Sequence, residues 1–170
     1  MNSLVLIGMP AAGKSTVGVI LAKVLGKQFV DSDLVIQQKD GRLLSQIIAQ
    51  EGVEGFIKIE NDINSDLTAD NSIIATGGSV VYGKEAMERL KSLGTVVYIK
   101  LSYETLSKRL HNIRQRGVVL KEGQDLKMLY EERCPLYEKY ADITVEAEGA
   151  DIEELVSRIV NLYQNRELVM

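Results

Sequence analysis

The sequence predicts an α/β fold, a parallel sheet with helices on both faces. Three observations carry that prediction. Short apolar runs alternate with longer amphipathic segments along the chain. The first run, Ser3-Leu4-Val5-Leu6-Ile7, has the unbroken apolar character of a strand buried on both faces. Between it and the first amphipathic segment lies Gly8-Met9-Pro10-Ala11-Ala12-Gly13-Lys14-Ser15, a match to G-x-x-x-x-G-K-[ST].

Each element follows from a local pattern. Lys14 to Leu25 reads as a helix, with Val17, Ile20, Leu21, Val24 and Leu25 on one stripe and Gly26 to end it. Phe29-Val30-Asp31 and Ser72 to Ala75 are short strands, the second leading into Gly77-Gly78. Leu34 to Leu67 contains no convincing strand and reads as a helical insertion. Gly83 to Leu93 is helical, Thr95 to Leu101 is a β-branched strand, and Thr105 to Leu110 is helical again. Arg114 to Gln124, with Gly117 and Gly123 and few core residues, reads as a mobile loop. Ile143 to Val145 is a last short strand. Asp151 and Glu154 have capping-box spacing, which starts a final helix running to about Tyr163.

Composition narrows the function. The 170 residues are 45% apolar and 26% charged, ordinary for one globular domain spanning 1–170 and unlike a disordered tail, a fibrous repeat or a disulfide scaffold. Lysine plus arginine number 20 against 24 acids, a net charge of −4, so no broad nucleic-acid or anionic-membrane surface is expected. Cys134 and His111 are each the single residue of their kind, which removes disulfides, cysteine zinc clusters and Ser-His-Asp triads. No apolar run approaches a membrane span, and Leu4 to Ile7 lacks a basic flank. The expectation is a cytoplasmic monomer acting on a small molecule.

The motif states the chemistry. Its glycines let the backbone curl so that successive N–H groups face phosphates, and the following helix adds partial positive charge. Ala11, Ala12, Gly13, Lys14, Ser15 and Thr16 are expected to bind ATP, with Lys14 on the β- and γ-phosphates and the Ser15 hydroxyl on Mg²⁺. Neither Ser72-Ile73-Ile74-Ala75 nor Val96-Val97-Tyr98-Ile99 ends in aspartate, and no Asn-Lys-x-Asp occurs, which argues against a typical P-loop ATPase or a GTPase. The available acids are Asp31 and Asp33, at the carboxyl end of the second strand, where such sheets bind ligands. One can hold the metal's water shell and the other orient an acceptor hydroxyl; the plainer alternative is an N-cap for the next helix. Leu126, Leu129 and Tyr130 form an apolar stripe that Arg133 continues, so Arg133 needs an anionic partner there or must snorkel outward.

At these residues the chain resembles the shikimate kinase family over nearly its whole length. The family pairs the P-loop with Asp-x-Asp, here Asp31-Ser32-Asp33. Its Phe-Arg-x-x-Glu helix corresponds to Phe56-Ile57-Lys58-Ile59-Glu60, its triple-glycine turn to Gly77-Gly78-Ser79, and its Arg-x-Pro-Leu-Tyr segment to Arg133-Cys134-Pro135-Leu136-Tyr137. The resemblance implies the nucleoside-monophosphate-kinase fold, with a five-stranded parallel sheet, a substrate-binding insertion at about 34–67 and a lid at about 112–124. It further implies that Asp31 organises Mg²⁺ and that Asp33 binds and deprotonates the acceptor hydroxyl. Gly77 and Gly78 admit the substrate ring, Arg109 packs on adenine, Arg116 closes over the phosphates, and Arg133 pairs with the substrate carboxylate. The implied activity is phosphorylation of shikimate by ATP with Mg²⁺.

Three residues depart from the family pattern. Ile57 stands where a second carboxylate-gripping arginine is usual, Ser79 replaces the third glycine, and Gly117 replaces the proline after the lid arginine. Lys58 and Arg42 are candidates to compensate for Ile57. A kinase for another small hydroxylated metabolite is therefore the alternative reading, and an inactive nucleotide-binding module a further one. His111 is expected to be a solvated or helix-terminal residue, Cys134 an apolar filler, and Tyr130, Tyr137 and Tyr140 packing groups. Glu146, Glu148, Asp151, Glu153 and Glu154 are expected to form a solvated face with a cap.

Overall fold

In the computed structural model, which describes residues 2–110 and 118–169, β1 (Ser3–Ile7) is buried along its whole length at the centre of a sheet. The other strands are β2 (Gln28–Asp31), β3 (Ser72–Ala75), β4 (Gly94–Lys100) and β5 (Ile143–Glu146). Their order is β2-β3-β1-β4-β5 and every pairing is parallel. Val5 sits opposite Ile74 on one side and Val96 on the other, so the central strands present apolar residues to both faces. The three-layer α/β fold expected from the alternation is the one found.

The helices are α1 (Lys14–Leu25), α2 (Ser32–Asp40), α3 (Leu44–Ser65), α4 (Lys84–Leu93), α5 (Tyr103–Arg109), α6 (Leu126–Tyr140) and α7 (Ile152–Val169), with a 3₁₀ turn at Val80–Tyr82. α1 packs on β2 and β3 and against α7, while α4 packs on β1 and β4 and against α3. The insertion is helical and holds no strand, as the missing strand signal predicts. α3 breaks at Gly52, whose φ of 72° suits glycine. Around it a second apolar cluster forms from Ile36, Ile47, Phe56 and Val119, with Ile57 packed against it.

Boundaries differ at a few places. α7 continues past Tyr163 to Val169, since no Gly or Pro stops it and Arg166 bonds the carbonyl of Asp142. Its start carries the predicted capping box: Glu154 N donates to Asp151 Oδ1 at 2.8 Å and Asp151 N to Glu154 Oε2 at 3.2 Å. Glu148 is more than a solvated acid, because it accepts from Ser102 N and Thr105 Oγ1 at the start of α5. Cys134 is half-buried with Sγ 3.5 Å from the Tyr98 hydroxyl, a packing role. Of the expected mobile loop, 114–117 lies outside the described residues, as does His111. No described helix is long and apolar enough to cross a membrane.

Candidate active site

The P-loop follows the carboxyl end of β1, whose chain runs on toward β2 while that leaving its neighbour β3 crosses the other way to β4, which is where such sheets open a crevice. Gly8 runs so close to β4 that a Cβ there would lie 2.8 Å from the Ile99 carbonyl oxygen. Gly13, at φ 94°, precedes α1 and has no side chain to cap it, so the first N–H groups of the helix stay available to phosphate. Lys14 is only 7% exposed. Its Nζ donates to the carbonyls of Gly8 and Met9 at 2.7 and 2.8 Å, leaving the third proton of the ammonium. Burial lowers its pKa to about 8, against the opposing pull of Asp33.

The two acids of β2 and α2 divide. Asp31 accepts from Ser15 Oγ at 3.1 Å through Oδ2, and caps α2 through Oδ1 by accepting from Asp33 N at 3.0 Å. The plainer sequence alternative, an N-cap for the next helix, is thus present in Asp31. Asp33 turns into a cleft of about 290 Å³, shared with Lys14, Ser15, Gly77, Ser79 and Arg133. Burial, helped by the like charge of Asp31, pushes the Asp33 carboxyl up to about 6, while Lys14 pulls it down. That poises it to exchange a proton near neutrality.

Across the cleft, α6 carries Arg133 inward at 1% exposure. Its Nη2 donates to the Val119 carbonyl at 3.0 Å and its Nε meets the Tyr82 hydroxyl at 3.4 Å. The guanidinium lies 5.3 Å from the Tyr82 ring centroid. Among the described residues no carboxylate lies within 4.0 Å of it. A buried cation of this kind calls for an anion. It does not snorkel.

The turn after β3 is held between these groups. A Cβ on Gly77 would lie 2.7 Å from Asp33 Oδ1 and 3.1 Å from Glu60 Oε2; one on Gly78 would lie 2.9 Å from Arg133 Nη1. A side chain at either place would push these groups aside. The Tyr137 hydroxyl donates to the Gly78 carbonyl at 2.6 Å, so this tyrosine supports the turn as well as packing. Ser79 Oγ donates to Glu60 Oε1 at 2.6 Å. Glu60 belongs to the quoted helix motif, yet its spacing alone assigned it no role; burial in the folded chain singles it out.

A second recess of about 210 Å³ opens beside the P-loop, lined by Gly13, Val17, Leu101, Arg109 and Leu155 among others. Arg109 Nη1 reaches the Ala11 carbonyl at 3.1 Å, so α5 is tied to the loop. Arg116 and Gly117 lie outside the described residues. Lys58 is exposed and pairs with Asp62 at 3.2 Å. Arg42 is taken up by Asp40 and Glu51 at 2.6 and 2.9 Å. Neither lines the cleft.

Comparison with known proteins agrees with this geometry. The sequence profile described as Shikimate kinase matches residues 10–164. The chain belongs to the shikimate kinase family. It is 38% identical to the shikimate kinase of Vibrio parahaemolyticus over 97% of this chain and 98% of that one. It is 36% identical to that of Thermodesulfovibrio yellowstonii, covering 96% of both. A solved structure of the Acinetobacter baumannii enzyme, in complex with shikimate, superposes with a TM-score of 0.88 at 33% identity over 99% of this chain and 96% of that one. The Aquifex aeolicus shikimate kinase gives 0.83 at 34% identity, with 98% of each chain covered. The family's members are phosphotransferases with an alcohol acceptor, and they use ATP.

Proposed function

We propose that this chain transfers the γ-phosphoryl group of ATP to a hydroxyl of shikimate, giving shikimate 3-phosphate. The observation that carries the reading is the buried, acid-free Arg133 facing Asp33 and Lys14 across one cleft. Arg133 takes the acceptor's carboxylate, a planar anion suited to its fork. Asp33 accepts the proton of the attacking hydroxyl. That oxygen then bonds the γ-phosphorus as the bond to the β–γ bridging oxygen breaks, and ADP leaves. Lys14 and the uncapped start of α1 stabilise the charge spreading over the phosphates, and Arg116 closes over them from the lid. Arg109 flanks the recess that takes adenine.

The family's usual Mg²⁺ fits the residues present: Ser15 Oγ and Asp31 Oδ2 are hard oxygen donors 3.1 Å apart at the phosphate end of the cleft. When bound it neutralises phosphate charge. In this reading residues 1–170 form one kinase domain, with the insertion at 34–67 binding the acceptor and 112–124 acting as the lid. The enzyme works as a cytoplasmic monomer without nucleic-acid or membrane partners.

The test is ADP release with shikimate and with hydroxylated acceptors lacking a carboxylate. Turnover should require the carboxylate and fall by about 10²-fold in Arg133→Ala. Equal turnover of uncarboxylated acceptors would favour the other small-metabolite kinase and refute shikimate as the acceptor.

A further inference from the structure

Among the described residues, Glu60 is the carboxylate of the cleft region that the transfer reaction leaves unused. It is 1% exposed on the inner face of α3. Oε1 holds Ser79 Oγ at 2.6 Å, and Oε2 has no partner among the described residues. An ionised carboxylate so placed would forgo most of its hydration with one hydrogen bond in return. Three residues earlier, Ile57 supplies no charge to balance it.

Its neighbours sharpen the point. At Gly77 the backbone passes between Glu60 Oε2 and Asp33 Oδ1, and at Gly78 it meets Arg133 Nη1. A negative Glu60 would oppose Asp33 on one side. On the other it would answer the Arg133 charge from within the protein, in competition with an incoming carboxylate.

We propose that Glu60 is a positioning residue of the acceptor site, holding a proton while the acceptor is bound. Arg133 then keeps its charge for the acceptor's carboxylate, and the Ser79 bond keeps the Gly77–Ser79 turn in place. The inference rests on the reading of the acceptor as shikimate. Burial pushes the Glu60 carboxyl up to about 8, with Ser79 and Arg133 pulling down and Asp33 pushing further up. The charged and titratable groups facing it are Asp33 from α2 and Arg133 from α6, with Lys14 behind Asp33 and Tyr82 and Tyr137 beside Arg133. Of these only Lys14 titrates in the same range, at about 8.

The experiment is the KM for shikimate at pH 7 and pH 9, at saturating ATP and Mg²⁺, in wild type, Glu60→Gln and Glu60→Ala. A site that binds only with Glu60 protonated near pH 8 raises this KM by about tenfold across that interval. Glutamine cannot ionise and can still bond Ser79, so in Glu60→Gln the ratio should fall to about one. Its KM at pH 7 should stay several-fold below that of Glu60→Ala, which lacks the Ser79 bond. Lys14 is common to all three proteins, and its titration reads out in the KM for ATP. The same tenfold rise in Glu60→Gln as in wild type overturns the inference, and so does a flat wild-type profile. No shikimate turnover by wild type at either pH overturns the acceptor reading and takes the inference with it.

Discussion

Asp31 accepts from the Ser15 hydroxyl at 3.1 Å through one oxygen and caps α2 through the other. One side chain thus joins the phosphate loop to the helix that carries Asp33. The two jobs depend on different properties, since a metal site needs the negative charge and a cap needs only an acceptor oxygen.

Asp31→Asn and Asp31→Ala should therefore separate them. Asparagine caps as well as aspartate, so Asp31→Asn should keep wild-type stability while raising the Mg²⁺ concentration needed for half-maximal turnover. Asp31→Ala should raise that requirement and also cost about 1 kcal/mol of stability. Ser15→Ala should resemble Asp31→Asn. Mg²⁺ titration of turnover and urea unfolding measure the two effects; an unchanged Mg²⁺ requirement in Asp31→Asn would place the metal elsewhere.

The nucleotide-free protein should lose stability as pH rises from about 5 to 8. Glu60 ordinarily titrates at 4.5 and in the fold at about 8, so between these values the folded state holds a proton the unfolded chain has released. Stability then falls as pH rises. Asp33 acts in the same direction between 3.8 and about 6. Above about 8 Lys14 acts in the opposite sense, since the unfolded chain holds its extra proton, while Cys134 and the buried tyrosines, raised by burial, continue the fall. Urea midpoints at about pH 5, 6.5 and 8 should trace the fall. Glu60→Gln should remove most of the fall between 6 and 8, worth on the order of a few kcal/mol.

Gly77→Ala should abolish acceptor turnover and spare nucleotide binding. The new methyl would sit 2.7 Å from Asp33 Oδ1 and displace the catalytic carboxylate. A misplacement of about 1 Å costs about 10² in rate. Loss of activity beside an unchanged ATP affinity, measured by calorimetry, is the expected pair of results; wild-type turnover would mean that Asp33 does not take the proton.

Ile57→Arg should tighten shikimate binding. A charged hydrogen bond is worth roughly 1.5–3 kcal/mol, so the KM should drop by about 10- to 100-fold, with little change for ATP. Ile57 packs on the second apolar cluster, so the variant should lose about 1 kcal/mol of stability. An arginine three residues from Glu60 on the same helix should also favour its ionised form and weaken the pH response of the KM. Removing Lys58 should alter the KM less than twofold, as its amine is engaged with Asp62 at the surface. A larger effect would show that Lys58 reaches the acceptor.

Much of this molecule was legible in its residues. The phosphate loop is one contiguous stretch whose function is a backbone shape, so eight consecutive residues specify it. Strand-to-helix alternation specified the layers because each element's burial pattern is local, and Asp31 and Asp33 came into view because they sit where β2 ends and α2 begins. Arg133 was half legible: the apolar stripe showed that it needed a partner, but the acid-free burial that makes it a receptor arises only when Val119, Tyr82 and Gly78 close around it. Glu60 was not legible as more than a motif position. Its proton depends on Asp33, Gly77, Ser79 and Arg133, brought together from α2, the turn after β3 and α6. Lys58 and Arg42 looked equally able to replace a missing arginine, and only the fold shows both engaged with acids outside the cleft. Charge balance in a buried site is a sum over groups distant in the chain, and only packing decides which of them are close and how much water is left between them.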